Sequence, residues 1–329
     1  MRGPWRTSHD RAGLATDLDR CHRRDASRAF RRRLSCAALH AAKPPHPVFG
    51  QQVGRRPSRR HGGRRRPSGP EAPVAQYVPE LARSAFGDAR VRHVLDMRTS
   101  LAFNEDYLDP DGIYARYRRA GLLDPRREGE PAETVIDLLA SLPRGAGEHG
   151  GPFHYCSPNS DVLGLVIERA SGRRYADFAA DRLWRPLALR HDGCITVDIA
   201  GTARSGGGLC MTVRDLARIG ELVRLGGIVN GRRLIPEHWM TDTLTGGSAQ
   251  AWRQGNFSSW LPNGKYRNKW YQVGNRSGAC FAIGIHGQWL YVDPLRETVI
   301  AKFSSQPQPT HDEVKLLNLA MFETISTMA

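Results

Sequence analysis

The position of its charge is the strongest constraint on what this chain can fold into. The 329 residues have a formal net charge of +15, and residues 1–70 alone hold eighteen Lys+Arg against four Asp+Glu. Residues 71–329 are therefore nearly neutral. The first 70 residues contain few large apolar side chains and several arginine runs, such as Arg31-Arg32-Arg33. We expect a basic, low-order segment over 1–70, because it cannot bury a core, and one folded domain over 71–329.

Three interpretations of the basic segment remain open. The first is a nucleic-acid-binding arm. The segment lacks aromatic side chains between the arginines for base stacking, which argues against a nucleic-acid partner. As a targeting peptide it offers only the short apolar stretch 34–39, so we expect no secretory signal and a cytoplasmic protein. No stretch approaches the ~18 apolar residues of a membrane span, so no membrane partner is expected. The third interpretation is that the segment is a translation in the wrong reading frame.

The pattern of residues 71–329 is typical of an α+β domain. Apolar residues predict a helix over 161–170, with Asn159 or Ser160 as its N-cap and Gly172 just past its end. Thr212 is predicted to cap a second helix, whose apolar face includes Leu216 and Ile219.

An antiparallel sheet is predicted near the end of the chain. Three short segments with apolar or alternating patterns, 280–285, 288–292 and 298–303, are separated by brief turns, which is typical of a meander. A final helix is predicted over 312–325, and its expected packing residues are Val314, Leu317, Leu319, Met321 and Phe322.

Several common catalytic and ligand-binding motifs are absent from the sequence. There is no G-x-S-x-G elbow, no H-E-x-x-H, no P-loop and no complete dinucleotide-binding glycine pattern. The six cysteines form no C-x-x-C pair and no zinc-binding spacing. We therefore expect neither a metal site nor an organic cofactor.

One group of motifs carries chemistry when taken together. His154-Tyr155-Cys156-Ser157-Pro158-Asn159 precedes the first predicted helix, Ser205-Gly206-Gly207-Gly208-Leu209 follows, and Gly284-Ile285-His286-Gly287-Gln288 comes last. In this order they resemble the serine hydrolases related to class C β-lactamases and penicillin-binding proteins, and most of all the branch of 6-aminohexanoate-dimer hydrolases. The resemblance implies a β-lactamase/transpeptidase-like α+β fold over 71–329. In this fold an antiparallel sheet is flanked by helices, next to a mainly helical region, and the N-terminal portion would be incomplete.

The resemblance also implies roles for individual residues. Tyr155 would transfer protons, and His286, in the position of the lysine of a Lys-Thr-Gly-type motif, would orient the substrate or the tyrosine. The residues expected on the substrate and oxyanion side are Gly287, Gln288, Ser157 and Asn159. The polar run 104–107 could line the cleft, but we favour its interpretation as a solvated loop.

The nucleophile of this family is the serine of a Ser-x-x-Lys motif, and no serine of this chain has a lysine three positions later. The motif would be expected a few tens of residues before the Pro73–Glu80 block, inside the basic segment. Residues 48–55, Val-Phe-Gly-Gln-Gln-Val-Gly-Arg, are compatible with codons that spell Ser-Ser-Ala-Ser-Lys-Ser-Val-Val one nucleotide later. The hypothesis is that residues before about Gly69 are frame-shifted, with the serine and lysine lost opposite Phe49 and Gln52.

These observations give one main hypothesis and two alternatives. The main hypothesis is a hydrolase that cleaves a small amide, ester or lactam through an acyl-serine intermediate, inactive in the chain as written. The alternatives are a non-enzymatic nucleic-acid binder that uses the basic arm, and a pseudoenzyme that binds ligands in the old cleft. The sequence does not indicate the substrate or the oligomeric state.

Overall fold

The protein is described here by a computed structural model, which covers residues 69–328. The frame-shift positions 48–55 lie outside the described residues. Most helices are short and precede the large sheet. The α-helices of the described part are α1 (Val74–Tyr77), α2 (Val91–Leu95), α3 (Ile113–Ala120), α4 (Val135–Ser141), α5 (Pro158–Ser171), α6 (Tyr175–Ala179), α7 (Val213–Arg224), α8 (Glu237–Thr245), α9 (Ala249–Arg253) and α10 (Asp312–Met328).

A five-stranded antiparallel sheet dominates the second half of the chain. Its strands pair in sequence order, so each strand is joined to its neighbour by a short connection. They are β5 (Lys265–Arg267), β6 (Trp270–Gln272), β7 (Cys280–Gly284), β8 (Gln288–Asp293) and β9 (Thr298–Lys302). Two small hairpins, β1 (Cys194–Ile195) with β2 (Leu209–Cys210) and β3 (Ile228–Val229) with β4 (Arg232–Arg233), lie outside this sheet. The predicted meander is confirmed as β7–β9, while β5 and β6 were not predicted.

Helices cover both faces of the sheet. Successive side chains of β8 point to opposite faces, so each face offers apolar residues to one helix. Leu290 and Val292 point towards α7, and Trp289 and Tyr291 point towards α10, where the Trp289 and Phe322 ring centroids are 5.5 Å apart. Helix α7 approaches so closely that a Cβ placed on Gly220 would lie 2.5 Å from Val299 Cγ1 and 2.8 Å from Leu290 Cδ1. The predicted arrangement of an antiparallel sheet flanked by helices is confirmed, and α1–α6 form the mainly helical region.

The start of α5 differs from the sequence-based expectation. The helix begins at Pro158 with Ser157 as N-cap, so Asn159 and Ser160 lie in its first turn instead of capping it. Proline at the first helical position has a φ already suited to a helix and needs no hydrogen-bond partner for a backbone N–H. The expected end is confirmed, since Gly172 has φ 65° in the left-handed region. The predicted cap of α7 is also confirmed, because Thr212 Oγ1 accepts a hydrogen bond from the Asp215 N–H at 3.2 Å.

Helix α10 buries less of its apolar surface than predicted. Leu319 and Phe322 are buried against the sheet, whereas Leu317 is 69% exposed and Met321 is 41% exposed. The expectation that Leu317 and Met321 pack inward was wrong, because a single helix face meets the sheet and these two residues point away from it. No helix within residues 69–328 is both long and apolar enough to cross a membrane.

A buried ion pair ties the helical region together. Asp161 on α5 and Arg204 are both fully buried, with 3.4 Å between Arg204 Nε and Asp161 Oδ2. Asp161 also accepts hydrogen bonds from the Tyr117 hydroxyl at 2.6 Å and from the Gly206 N–H at 2.5 Å. The guanidinium of Arg204 lies over the Tyr117 ring, 4.3 Å from its centroid. The Asp161 carboxylate thus joins helices α3 and α5 to the glycine-rich loop 205–208.

Two stacked histidines near α2 give a pH-dependence prediction. The His93 ring lies 5.8 Å from that of His149, and its Nδ1 accepts the Arg90 N–H. Burial, with a smaller contribution from His149, lowers the pKa of His93 to about 4. The unfolded chain therefore binds more protons between pH 6.5 and 4, so the free energy of unfolding falls as the pH falls through this range. Because the His93 ring is only half-buried, solvent screening reduces this effect, and we expect His93 to contribute a loss on the order of 1 kcal/mol between pH 7 and pH 5, measured by urea unfolding.

The variant His93→Gln tests the assignment. It removes the titrating ring, so its stability should decline less between pH 7 and pH 5 than that of the parent chain. His238→Gln, at an exposed position on α8, is the control and should follow the parent. An equal decline in the parent chain and His93→Gln would contradict the prediction.

Candidate active site

A partly open cleft lies beside the end of β7. Its lining is mainly aromatic, and it includes Tyr155, Gly284 and Gly287. The loop before α5 and the turn between β7 and β8 therefore meet at this cleft, which brings together two of the three sequence blocks on which the family resemblance rests. A concave, largely apolar cavity with a few polar groups is the usual form of a small-molecule site.

Tyr155 lies at the centre of the aromatic lining and is buried. Its ring stacks on Phe257, with centroids 5.6 Å apart and planes 13° from parallel, and its backbone N–H donates to Asn256 Oδ1 at 3.3 Å. Burial raises the pKa of Tyr155 well above its usual value, and the carboxylate of Glu105 raises it further. The phenol is therefore neutral at physiological pH, and it would need a nearby cation to act as a base.

The two residues after Tyr155 are enclosed by protein. Ser157 is fully buried, its backbone N–H donates to the Glu105 carboxylate, and the serine side chain lowers the pKa of both Glu105 and Tyr155. Burial raises the pKa of the Cys156 thiol well above its usual value, so this cysteine is a neutral thiol and not a poised nucleophile.

Asn159 makes only structural contacts in the described chain. Its Oδ1 accepts a hydrogen bond from Thr99 Oγ1 at 2.8 Å, and its Nδ2 donates to Met97 Sδ at 3.2 Å. It is fully buried and fastens the first turn of α5 to the segment after α2. The structure does not place it with Tyr155 on the cleft wall.

The turn between β7 and β8 is held by the loop that follows β9. His286 has φ 58° in the left-handed region; its backbone N–H donates to the Pro309 carbonyl at 2.9 Å, and its Nδ1 lies 2.8 Å from the Gln306 carbonyl. Since a carbonyl only accepts, Nδ1 carries a proton and donates it to this carbonyl. Gln288 is buried, and its amide bonds to the backbone of Ser304.

Gly287, like Ile285 of the same turn, lines the cleft. Its φ is +80°, and a Cβ at this position would lie 2.5 Å from the side-chain nitrogen of Gln306. Glycine therefore provides both the left-handed backbone and the close approach of the loop. The structure thus brings Gly287 and Tyr155 to one cavity, while it buries Ser157, Asn159 and Gln288 behind the wall.

Sequence reasoning missed Glu105 and Tyr107, because a run of four polar residues was interpreted as a solvated loop. Tyr107 lines the cleft, and its hydroxyl donates to Glu105 Oε2 at 2.7 Å. Burial raises the pKa of Glu105, although Ser157 and Tyr107 lower it in part. The sequence signal for an ordered segment was Tyr107, the single aromatic residue of the polar run 104–107. The pairing with Ser157, 52 positions away, has no local sequence signal.

No group of three or more His, Cys, Asp or Glu side chains suited to a metal ion occurs within the described residues. The polar groups at the cleft are instead phenols, indoles, amides, backbone groups, the Thr310 hydroxyl, the His311 imidazole and one lysine. Such donors suit hydrogen bonding and proton transfer to an organic substrate.

Comparison with known proteins identifies the family. Residues 65–321 match the Beta-lactamase family. A 6-aminohexanoate-dimer hydrolase of Paenarthrobacter ureafaciens is 42% identical over 240 residues, which are 73% of this chain and 60% of that protein. The chain therefore spans about three fifths of the length of this relative.

Solved structures share the fold. A putative 6-aminohexanoate-dimer hydrolase from Bacillus anthracis superposes with a TM-score of 0.71 at 21% identity, covering 89% of this chain and 70% of that one. EstCE1, a hydrolase with promiscuous acyltransferase activity, superposes with a TM-score of 0.58 at 16% identity, covering 86% and 81%. The β-lactamase/transpeptidase-like fold expected from the motifs is thus confirmed. Because residues 65–321 match the family, and because solved structures of related hydrolases share its fold, the chain belongs to the Beta-lactamase family.

Proposed function

We propose that this protein descends from a serine hydrolase that cleaves a small amide, ester or lactam through an acyl-serine intermediate. The observation that carries the proposal is the position of Tyr155, a phenol on the wall of an aromatic cleft that also contains the end of β7. The relative from Paenarthrobacter ureafaciens is named for hydrolysis of a 6-aminohexanoate dimer, which supports a linear amide as the substrate. No metal or organic cofactor takes part.

The proposed mechanism needs four contributions. A serine attacks the carbonyl carbon, and a lysine one helical turn later together with Tyr155 accepts the serine proton and passes it to the leaving group. A backbone N–H at Gly287 or Gln288, with the N–H of the serine, stabilises the oxyanion. His286 orients the substrate or the phenol, and water then releases the acyl group from the serine.

The chain as written lacks the serine of the first contribution and the lysine of the second. No Ser-x-x-Lys sequence occurs in its 329 residues. The high pKa of Tyr155 supports the same conclusion, because the family lysine would supply the positive charge that lowers it. The neighbouring thiol and hydroxyl, Cys156 and Ser157, are fully buried and offer no substitute. We therefore propose that the present chain does not turn over substrate.

An acylating probe tests this proposal. We expect a fluorophosphonate and a labelled penicillin to leave the purified chain unmodified, as judged by intact-mass spectrometry. The control is a family hydrolase with an intact Ser-x-x-Lys motif, treated in parallel, which should gain one label. Stable stoichiometric labelling of the present chain would contradict the proposal, and the labelled peptide would identify the true nucleophile.

A further inference from the structure

The turn between β3 and β4 exposes an Asn-Gly pair. The chain contains two such pairs, Asn230-Gly231 and Asn263-Gly264. Asn230 and Gly231 have φ of 47° and 73°, both in the left-handed region that a two-residue type I′ hairpin turn requires. Both residues are exposed, and a Cβ added to Gly231 would meet no atom within 4 Å. The peptide bond between them is therefore open to solvent.

Few interactions hold this turn in place. Strands β3 and β4 are two residues long each, and they pair with each other outside the five-stranded sheet. Within residues 69–328 the Gly231 N–H donates no hydrogen bond. A two-stranded hairpin of this length is marginally stable by itself, so the turn opens at a small cost in free energy. The backbone nitrogen of Gly231 can therefore reach the side-chain carbonyl carbon of Asn230.

The second Asn-Gly pair lies in a different environment. The Gly264 N–H donates to the Leu261 carbonyl at 3.1 Å, and a Cβ at Gly264 would lie 2.7 Å from Trp252 Cε2. Gly264 is thus buried against the indole. A Cβ at Gly274 would overlap the carbonyl oxygen of Asn263, so the chain also packs closely on the asparagine. A hydrogen bond and close packing therefore both restrain this pair.

We propose that Asn230 is a self-modification site, at which the folded chain deamidates without an enzyme, while Asn263 is protected. The Gly231 nitrogen, deprotonated by hydroxide, forms a bond to Asn230 Cγ, and the bond from Cγ to the side-chain nitrogen breaks, so that ammonia leaves with a proton from water. Glycine favours this step because it has no Cβ beside the attacking nitrogen. Water then opens the succinimide at either carbonyl carbon, which gives aspartate or isoaspartate.

The two products have different effects on the hairpin. Aspartate keeps the backbone length and tolerates the left-handed region, so the hairpin stays closed. Isoaspartate carries the main chain through Cβ and adds a methylene group to the two-residue turn, so the pairing of Val229 with Arg232 is lost. Arg232 and Arg233 are exposed, and in the opened hairpin they become a cleavage site for a trypsin-like protease.

Peptide mapping of the full chain by tandem mass spectrometry, after incubation at pH 8.5 and 37 °C, tests the proposal. We expect Asn230 to deamidate at least about tenfold faster than Asn263, because ring closure at Asn263 must first break a hydrogen bond and displace packed groups. In guanidinium the two rates should lie within about threefold, since unfolding removes this protection. Equal rates in the folded chain, faster reaction at Asn263, or an Asn230 that reacts only after unfolding would each overturn the proposal.

Limited trypsin digestion tests the effect of isoaspartate on the hairpin. The isoaspartate fraction of the incubated parent should be cut at Arg232 about tenfold faster than the fresh parent, because cleavage follows the population of the open form. Asn230→Asp, the matched variant for the aspartate product, should be cut like the fresh parent. Equal cleavage of the isoaspartate fraction and Asn230→Asp would overturn the opening of the hairpin. None of these measurements depends on the hydrolase proposal.

Discussion

Replacing residues 1–68 by the translation of the same gene one nucleotide later should convert an inert chain into a hydrolase. Codons compatible with residues 48–55 can spell Ser-Ala-Ser-Lys one nucleotide later, and on the frame-shift hypothesis this reading would restore the nucleophile and its base together. Loss of a nucleophile costs serine hydrolases roughly 10⁶-fold in rate, so we expect a gain of at least about 10⁴-fold. The measurement is hydrolysis of a p-nitrophenyl ester and of a 6-aminohexanoate dimer, by chromogen release and by free amine.

The restored chain also allows a matched control. Tyr155→Phe in that background should lower the rate by about 10²- to 10⁴-fold, because the phenol no longer transfers a proton. Gln250→Ala, at an exposed position on α9, should have no such effect. The hypothesis would be wrong if peptides from residues 1–68 showed an intact frame in the native protein, or if the restored chain folded and remained inert.

Removing the charge of Asp161 should destabilise the fold more than any other single change proposed here. Asp161→Asn leaves the fully buried guanidinium of Arg204 without its counter-charge and weakens the contacts from Tyr117 and Gly206. Breaking one partner of a buried pair costs about 3–5 kcal/mol. The prediction is a loss of this size in the free energy of unfolding, measured by urea titration at pH 7.

A second substitution separates charge burial from packing. Adding Arg204→Met should recover more than half of the loss, because a buried ion pair replaced by apolar groups is often close to neutral. Glu80→Gln is the control, since Glu80 pairs with Arg169 on the exposed surface at 2.7 Å and should cost less than about 1 kcal/mol. If Asp161→Asn cost no more than Glu80→Gln, the buried pair would not be a stabilising element.

Elements with a local signal were predictable from the sequence. The meander β7–β9 follows from its apolar pattern, the C-terminal end of α5 from Gly172 and the start of α7 from Thr212. Each of these signals acts within a few residues. Strands β5 and β6 are three residues long, too short for a period to emerge. They become strands only because β6 pairs with β7 and β5 pairs with β6. The exposure of Leu317 and Met321 likewise depends on which face of α10 meets the sheet.

The residues of the candidate site also fall into those with a local sequence signal and those without one. Tyr155 and Gly287 could be predicted as site residues because they belong to motifs whose order along the chain is characteristic. Tyr107, Phe257 and Lys315 reach the cleft from three distant parts of the sequence, and no spacing rule connects them. Burial of Ser157, Asn159 and Gln288 was also beyond sequence reasoning, since polarity alone does not say which polar side chain bonds to the backbone behind the wall.

The contact at Gly220 has a consequence for how this sequence can diverge. A side chain there would overlap Val299 Cγ1 and Leu290 Cδ1, so the glycine and the two strand residues share one fixed volume. A larger residue at 220 becomes acceptable only together with a smaller one at 290 or 299. Aligned relatives should therefore show covariation among these three positions, with the summed side-chain volume varying less than any of its parts.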